Sequence, residues 1–188
     1  MRIDLSKYDN SWYRPGHPIK RCLWFFFNIL VFKTSLFPFY RFKVTLLRLF
    51  GARIGRNVVI KPSVNIKYPW FLEVGDSVWI GEEVWIDNLA KIQIGNNVCL
   101  SQGSLLLTGN HDYAKESFDL MVNPIILEDG VWIGARSIVC GGCICRDHAV
   151  LSSGSVASGE LESGWIYRGN PSVKIKERYF RKKTDDTI

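Results

Sequence analysis

From Ile54 onward an aliphatic residue recurs every six positions: Ile54, Ile60 and Ile66, then Val74, Ile80 and Ile86, then Ile94, Leu100 and Leu106. After a gap the series resumes as Leu127, Ile133, Val139, Cys145 and Leu151. The first three sets begin at 54, 74 and 94, three hexads plus two residues apart. The fifth place of each hexad is small or branched, from Val58 and Val64 to Ala149 and Ser155. Side chains two apart on a strand point the same way, so Val78 with Ile80, and Val84 with Ile86, face one interior. Gly75-Asp76-Ser77 and Gly95-Asn96-Asn97 suit sharp turns between short strands. Three strands per coil enclose a triangular prism, and stacked coils bury an aliphatic column. The pattern therefore predicts a mainly β chain, a parallel β-helix over residues 52–170.

Residues 1–51 read differently, as a basic and aromatic helical segment. Pro18 can open a helix that runs through the apolar stretch Cys22 to Phe32. Pro38 can open another, with Phe39, Phe42, Leu46, Leu49 and Phe50 on one side, which Gly51 stops. Two readings stand side by side. The helices cap the open end of the β-helix, as terminal repeats require, or residues 18–50 lie on an anionic membrane surface. Residues 171–188 form a basic C-terminal tail.

The 188 residues are enough for one well-cored domain plus an appendage. The net charge of +6 is unevenly placed: residues 1–50 carry +7 and residues 174–188 carry +3, which leaves −4 for the middle. A nucleic-acid-binding face runs through the body of a fold, so no nucleic acid partner is expected. The apolar stretch of 11 residues is too short to span a bilayer, which takes ~20. It also starts late and is followed by no small-residue cleavage site, so no signal peptide is expected. The expectation is a cytoplasmic protein, with the inner face of the membrane as the alternative place of work.

Three of the five cysteines crowd into Cys140-Gly141-Gly142-Cys143-Ile144-Cys145. Cys143 holds a fifth place and Cys145 a first place, so both face the interior and act as small hydrophobes. No metal is expected there, because tetrahedral zinc needs four converging ligands. Trp79, Trp85 and Trp132 each precede an inward aliphatic and so point outward. Exposed tryptophan on a flat face is costly to leave wet, and subunit contact is its simplest explanation, favoured for Trp79 and Trp85.

The repeat breaks once. After Leu106 the next first place falls at 112, yet the series resumes at 127, an insertion of 15 residues. A loop thrown out of a rigid solenoid, here 108–124, is where binding and catalysis concentrate. It opens with Thr108-Gly109-Asn110-His111-Asp112. An imidazole titrates near neutral pH, so His111 is suited to take a hydroxyl proton as the oxygen attacks a thioester. Asp87 and Asn88 lie about one coil earlier, in reach of the loop as acceptor or oxyanion groups, or else as an ordinary turn pair. Asn110 and Asp112 flank the histidine in the same capacity. His17 and His148 are most simply solvent-facing.

These residues carry a resemblance. Val84-Trp85-Ile86-Asp87-Asn88, Ile94-Gly95-Asn96-Asn97-Val98, Thr108 to Asp112, Gly130-Val131-Trp132-Ile133-Gly134-Ala135 and Gly169-Asn170-Pro171 resemble the hexapeptide-repeat acyltransferases. Within them the chain looks most like the colanic acid biosynthesis acetyltransferases of the WcaF type, over residues 50–180. The resemblance implies the left hand of the helix, a homotrimer with active sites between adjacent subunits, and His111 as general base. It also implies acetyl-CoA as donor and a saccharide hydroxyl, free or lipid-linked, as acceptor. Trp132, Ala135, Ser153 and Ser158 would then line the pantetheine channel, and Lys174 and Lys176 would meet the CoA phosphates. Where related galactoside and maltose acetyltransferases carry a Thr-Lys pair, this chain has Ser158-Gly159, which removes one phosphate contact. Two other functions fit the same prism. A zinc carbonic anhydrase needs three converging histidines, and His17 and His148 are not placed to join His111. A non-catalytic assembly scaffold leaves His111 at the loop root unexplained.

Overall fold

The computed structural model describes residues 2–180. It is a left-handed parallel β-helix of about six turns with a helical segment at its N-terminal end. Each of the first five turns contributes one short strand to each of three sheets, and the last turn adds one to the first and second. The first sheet stacks Arg53–Ile54, Leu72–Val74, Ile92–Ile94, Ile125–Leu127, Ile144–Cys145 and Glu160–Leu161. The second stacks Val59–Ile60, Trp79–Ile80, Cys99–Leu100, Trp132–Ile133, Val150–Leu151 and Trp165–Gly169. The third stacks Asn65–Ile66, Trp85–Asp87, Leu105–Leu107, Ile138–Cys140 and Val156–Ala157. The first-place residues align in register, as in Ile54 with Val74, Ile94 with Leu127 and Leu127 with Cys145, and all are buried. Cys143 and Cys145 are wholly buried in that column, their sulfurs 3.9 Å apart. Among the described residues no group of three or more His, Cys, Asp or Glu side chains is placed to hold a metal.

The glycine after the leading aliphatic of the first three sets (Gly55, Gly75 and Gly95) has a packing cause. The backbone N–H of Arg56 donates to Asp76 Oδ1 (2.7 Å), that of Asp76 to Asn96 Oδ1 (2.8 Å) and that of Asn96 to Asp129 Oδ1 (2.7 Å). Each carboxylate or amide thus satisfies a turn donor of the coil beneath it. A side chain at Gly75 would put Cβ 2.6 Å from Asn96 Oδ1, so the ladder requires glycine there.

The three corners are not alike. Those joining the first sheet to the second, and the second to the third, are tight in every turn. All extra residues fall at the corner joining the third sheet to the first. The two-residue surplus of the early turns sits there, once as the short 3-10 helix Pro69–Phe71, and so does the whole loop 108–124. The solenoid stays regular on two edges and builds its irregular structure along the remaining one.

Helix α1 (Pro18–Phe27) continues as a wider π-type turn over Asn28–Phe32, and α2 spans Tyr40–Leu49. Trp24, Val31, Phe32, Val44 and Leu47 join the same core as the first coil. Trp24 Nε1 donates to Ile66 O (2.8 Å) and Lys43 Nζ to Lys61 O (2.9 Å), so the helices satisfy and cover the first coil's open end. The sequence-based reading of α2 is corrected here. Its buried positions are Lys43, Val44, Leu46 and Leu47, while Phe39, Phe42 and Leu49 are exposed. The C-terminal part also differs from a simple tail: Ser172–Glu177 pairs antiparallel with Trp165–Gly169 and extends the second sheet. The remainder of that basic tail, 181–188, lies outside the described residues.

Candidate active site

The loop 108–124 is pinned at its root. Thr108 Oγ1 donates to Asp87 O (2.9 Å) and accepts from Ala90 N (3.1 Å), tying the loop's exit to the coil below. The returning chain is held by Asn123 N donating to Thr108 O (3.0 Å). Between these points Gly109–His111 and Leu120–Val122 form an antiparallel hairpin, with His111 opposite Leu120. His111 Nδ1 lies 3.0 Å from Phe118 O. A carbonyl only accepts, so Nδ1 carries the proton and donates it, which in the neutral ring leaves the lone pair on Nε2. The imidazole stacks on Phe118, ring centroids 4.4 Å apart and nearly parallel, with Tyr8 at 5.8 Å on its flank.

His111 opens into a cavity of about 400 Å³. Its far wall comes from the first residues of the chain, a strap laid over the same corner. Asp4 N donates to Glu116 O (2.9 Å), and Lys7 Nζ is 2.7 Å from Glu116 Oε1. Tyr13 OH donates to Leu89 O (2.6 Å), and Trp70 Nε1 to Pro15 O (2.9 Å). Burial, reinforced by Tyr68 and Asp87, pushes the Tyr13 phenol well above its ordinary pKa and keeps it a donor. Arg21, Lys67 and Tyr68 complete the lining. Sequence reasoning missed Tyr8, Tyr13, Arg21, Lys67 and Phe118. None of them belongs to the hexad series, and only the aromatic richness of the first residues hinted at a role.

The other expected site residues are placed as follows. Asp87 is 7% exposed, and its Oδ1, closed to solvent, is ion-paired with Lys67 Nζ at 3.0 Å. It lines a second cavity, of about 550 Å³, that shares Arg21, Lys67 and Tyr68 with the first. Asn88 does not line either cavity. It is fully buried, accepts from Tyr68 N (2.9 Å) and donates to Tyr68 O (2.6 Å), so its amide braces the corner below. Asn110 turns its Oδ1 to the His111 N–H, and Asp112 Oδ1 accepts from Ala114 N. Both shape the hairpin rather than line the cavity.

Ala135 and Ser153 lie at the corner between the second and third sheets, where Gly154 N donates to Ala135 O (2.8 Å). Trp132 stands just before them, exposed, its Nε1 donating to Ser101 Oγ (2.9 Å). Ser158 is at the corner that carries His111, across the third sheet from Ala135. Lys174 Nζ sits 2.6 Å from Glu162 and 3.7 Å over the Trp165 ring, whereas Lys176 is exposed on the same strand. His17 caps α1, its Nδ1 accepting from Ile19 N, and His148 is exposed.

No family model matches the chain. It is 40% identical to the protein named as the colanic acid biosynthesis acetyltransferase WcaF of Escherichia coli K12, over 88% of this chain and 91% of that one. Its fold is similar to that of the hexapeptide-repeat-containing acetyltransferase VCA0836 of Vibrio cholerae, with a TM-score of 0.77 and 21% identity. That match covers 86% of this chain and 92% of the other. A second structure of the Vibrio protein holds acetyl-coenzyme A, with the same TM-score and 19% identity over 86% and 88% of the two chains.

Proposed function

The chain belongs to the colanic acid biosynthesis acetyltransferases of the WcaF type, hexapeptide-repeat enzymes, and on that premise we propose that His111 is the base by which it acetylates a sugar hydroxyl. It is an acetyltransferase, and acetyl-CoA is its co-substrate. The observation that carries the reading of His111 is the 3.0 Å approach of its Nδ1 to Phe118 O. With Nδ1–H held by Phe118 O, the Nε2 lone pair is the imidazole's one basic position, at the wall of a polar cavity. In a ternary complex the acceptor hydroxyl gives its proton to Nε2 as its oxygen attacks the thioester carbonyl carbon. The tetrahedral intermediate collapses with loss of the CoA thiolate, which takes the proton back from the imidazolium. Asp87, whose Oδ1 is ion-paired with Lys67, orients the sugar from the adjoining cavity. A backbone amide, not Asn88, serves the oxyanion.

Placement of the expected CoA contacts favours a site shared between subunits. Ser158 and His111 stand on one edge of the third sheet, Ala135 and Ser153 on the other. One CoA touches both sets when the edge of one prism faces the opposite edge of its neighbour, as a homotrimer allows. Lys176 then reaches the CoA phosphates directly, and Lys174 after release from Glu162. The outward face of α1 supports a second contact. Ile19, Leu23, Phe26 and Leu30 form an exposed apolar stripe at helical spacing, with the exposed Lys33 beyond its end. That combination suits peripheral docking on an anionic membrane surface. No helix of the described residues is long and apolar enough to cross a membrane. Flotation with phosphatidylglycerol vesicles checks this: the full chain should float, and a Leu23→Glu/Phe26→Glu variant should not; equal flotation removes the contact.

The reaction itself is tested by incubating the enzyme with [acetyl-13C]acetyl-CoA and a panel of fucosyl, galactosyl and glucosyl acceptors. The expected product is a hydroxylamine-labile acetyl ester on sugar oxygen. Label found only in free acetate would overturn the acceptor assignment.

A further inference from the structure

Helix α2 covers the open end of the first coil with one side, and its other side carries two rows that capping does not use. Arg41 and Arg48 lie seven residues apart, and so do Phe42 and Leu49. Seven residues are two helical turns, so each pair shares a face and the two rows run side by side. All four side chains are exposed, Leu49 at 77%. The basic row lines a cavity of about 380 Å³ between α2 and residues 55–58, the corner that joins the first sheet to the second. That volume is in the range of small-molecule sites. Tyr40, Thr45, Arg56 and Asn57 also line it, and no carboxylate does. Arg56 is already matched, its guanidinium 3.0 Å from Asp76. Arg48 donates to Ile54 O (2.8 Å) and Gly55 O (2.6 Å), which holds the guanidinium in place and leaves its charge unmatched. The first turn of α2 contains no acidic residue to offset Arg41. This groove shares no lining residue with the two cavities near His111 and lies along a different edge of the prism.

We propose that this groove binds the phosphodiester of an anionic membrane lipid, phosphatidylglycerol, with Arg41 and Arg48 on the phosphate oxygens and Phe42 and Leu49 against the first carbons of its acyl chains. A guanidinium suits the first task, because its planar fork pairs with two phosphate oxygens and is weakly hydrated. A free phosphate ester meets the same charges but leaves the apolar row wet. A zwitterionic lipid brings a cation of its own toward the two arginines, which costs part of the attraction. Only an anionic lipid uses both rows. The site takes no part in acetyl transfer; it fixes which end of the prism meets the bilayer. It rests on the membrane contact read from α1 and deepens it by adding a second helix and naming the lipid.

The full-length enzyme, saturated with CoA so that the donor's phosphate contacts are filled, is titrated calorimetrically with dioctanoyl phosphatidylglycerol below its micelle concentration. Dioctanoyl phosphatidylcholine and glycerol 3-phosphate are titrated in parallel. Saturable binding of the first is expected, with the other two at least fivefold weaker. Arg41→Glu and Thr45→Glu, both at exposed helical positions, should each weaken it about fivefold or more. Arg48 is left in place because it also satisfies two carbonyls of the first coil. Arg168→Ala, on the last coil, should bind as the wild type does. No saturable binding, or equal binding by both glutamate variants, overturns the proposal. Equal binding of glycerol 3-phosphate makes the groove a site for free phosphate esters, and equal binding of phosphatidylcholine removes the role of charge; either result also overturns it. No bilayer is present, so Leu23→Glu/Phe26→Glu should leave this binding unchanged. Failure of the α1 contact in flotation and failure of this groove are therefore read separately.

Discussion

A single hydrogen bond orients the ring of His111, the base proposed above. Phe118 O accepts a hydrogen bond from Nδ1–H and the Phe118 ring stacks on the imidazole, so one loop residue fixes both tautomer and plane. Phe118 also adopts a positive φ of 51°, which turns its carbonyl back toward the hairpin. Asp87 and Asn88 are neighbours with opposite fates, one turned to a cavity and one buried in the corner beneath it. Their sequence, two polar residues in a row, carries no trace of that difference. Lys43 shows the same limit. It sits in a predicted amphipathic helix as an expected surface charge, yet it is fully buried with its ammonium on Lys61 O. Burial lowers its pKa to about 8, below the value near 10.5 of a free lysine. The unfolded chain therefore holds more protons between those values, and stability rises with pH across that window. Urea unfolding of wild type and Lys43→Met should show the wild type gaining on the variant from pH 8 to 10, by on the order of 1–3 kcal/mol. A constant difference would mean that the ammonium is not desolvated.

At the scale of elements, the hexad made the coils legible because one physical demand repeats: a small or branched residue and an aliphatic, two apart, facing one column. Turn glycines were legible as turn formers, but their main reason is the next coil. The side chain of Asp76, Asn96 or Asp129 occupies the space a Cβ would need. Gly95→Ala should therefore cost about 2–4 kcal/mol, by displacing Asp129 from the Asn96 N–H. Chemical denaturation checks it, and a loss below about 0.5 kcal/mol would show that the ladder can shift freely. The loop was legible as the break in the repeat, and with it His111. The strap of residues 2–17 was not. Its contacts are single hydrogen bonds to distant backbone, such as Tyr13 OH to Leu89 O, and these have no period to read. The helices were found, but the inward face of α2 was misjudged because its exposed side is as apolar as its buried one.

For the molecule as a whole, the three outer faces differ in kind. The first presents Arg53, Glu73 and Gln93 in register, laced by ion pairs such as Lys91 with Glu73 (2.9 Å), and then Ile126, Ile144 and Glu160. The second presents Val59, Trp79, Cys99, Trp132 and Val150, and the third Trp85, Leu105, Ile138 and Val156. Two mostly apolar faces, against a first face that is charged over its early coils, suit the homotrimer proposed above. Trp79 is 61% exposed in the single chain, so Trp79→Glu should convert trimers to monomers in sedimentation velocity, and Arg53→Glu should not. A monomeric wild type would remove the shared site. The most direct test of the account remains His111 itself. Steady-state acetyl transfer should fall about 10²–10⁴-fold in kcat for His111→Ala, with the KM for acetyl-CoA little changed, because the base acts in the transition state and not in holding CoA. Transfer at the wild-type rate in that variant would contradict the account.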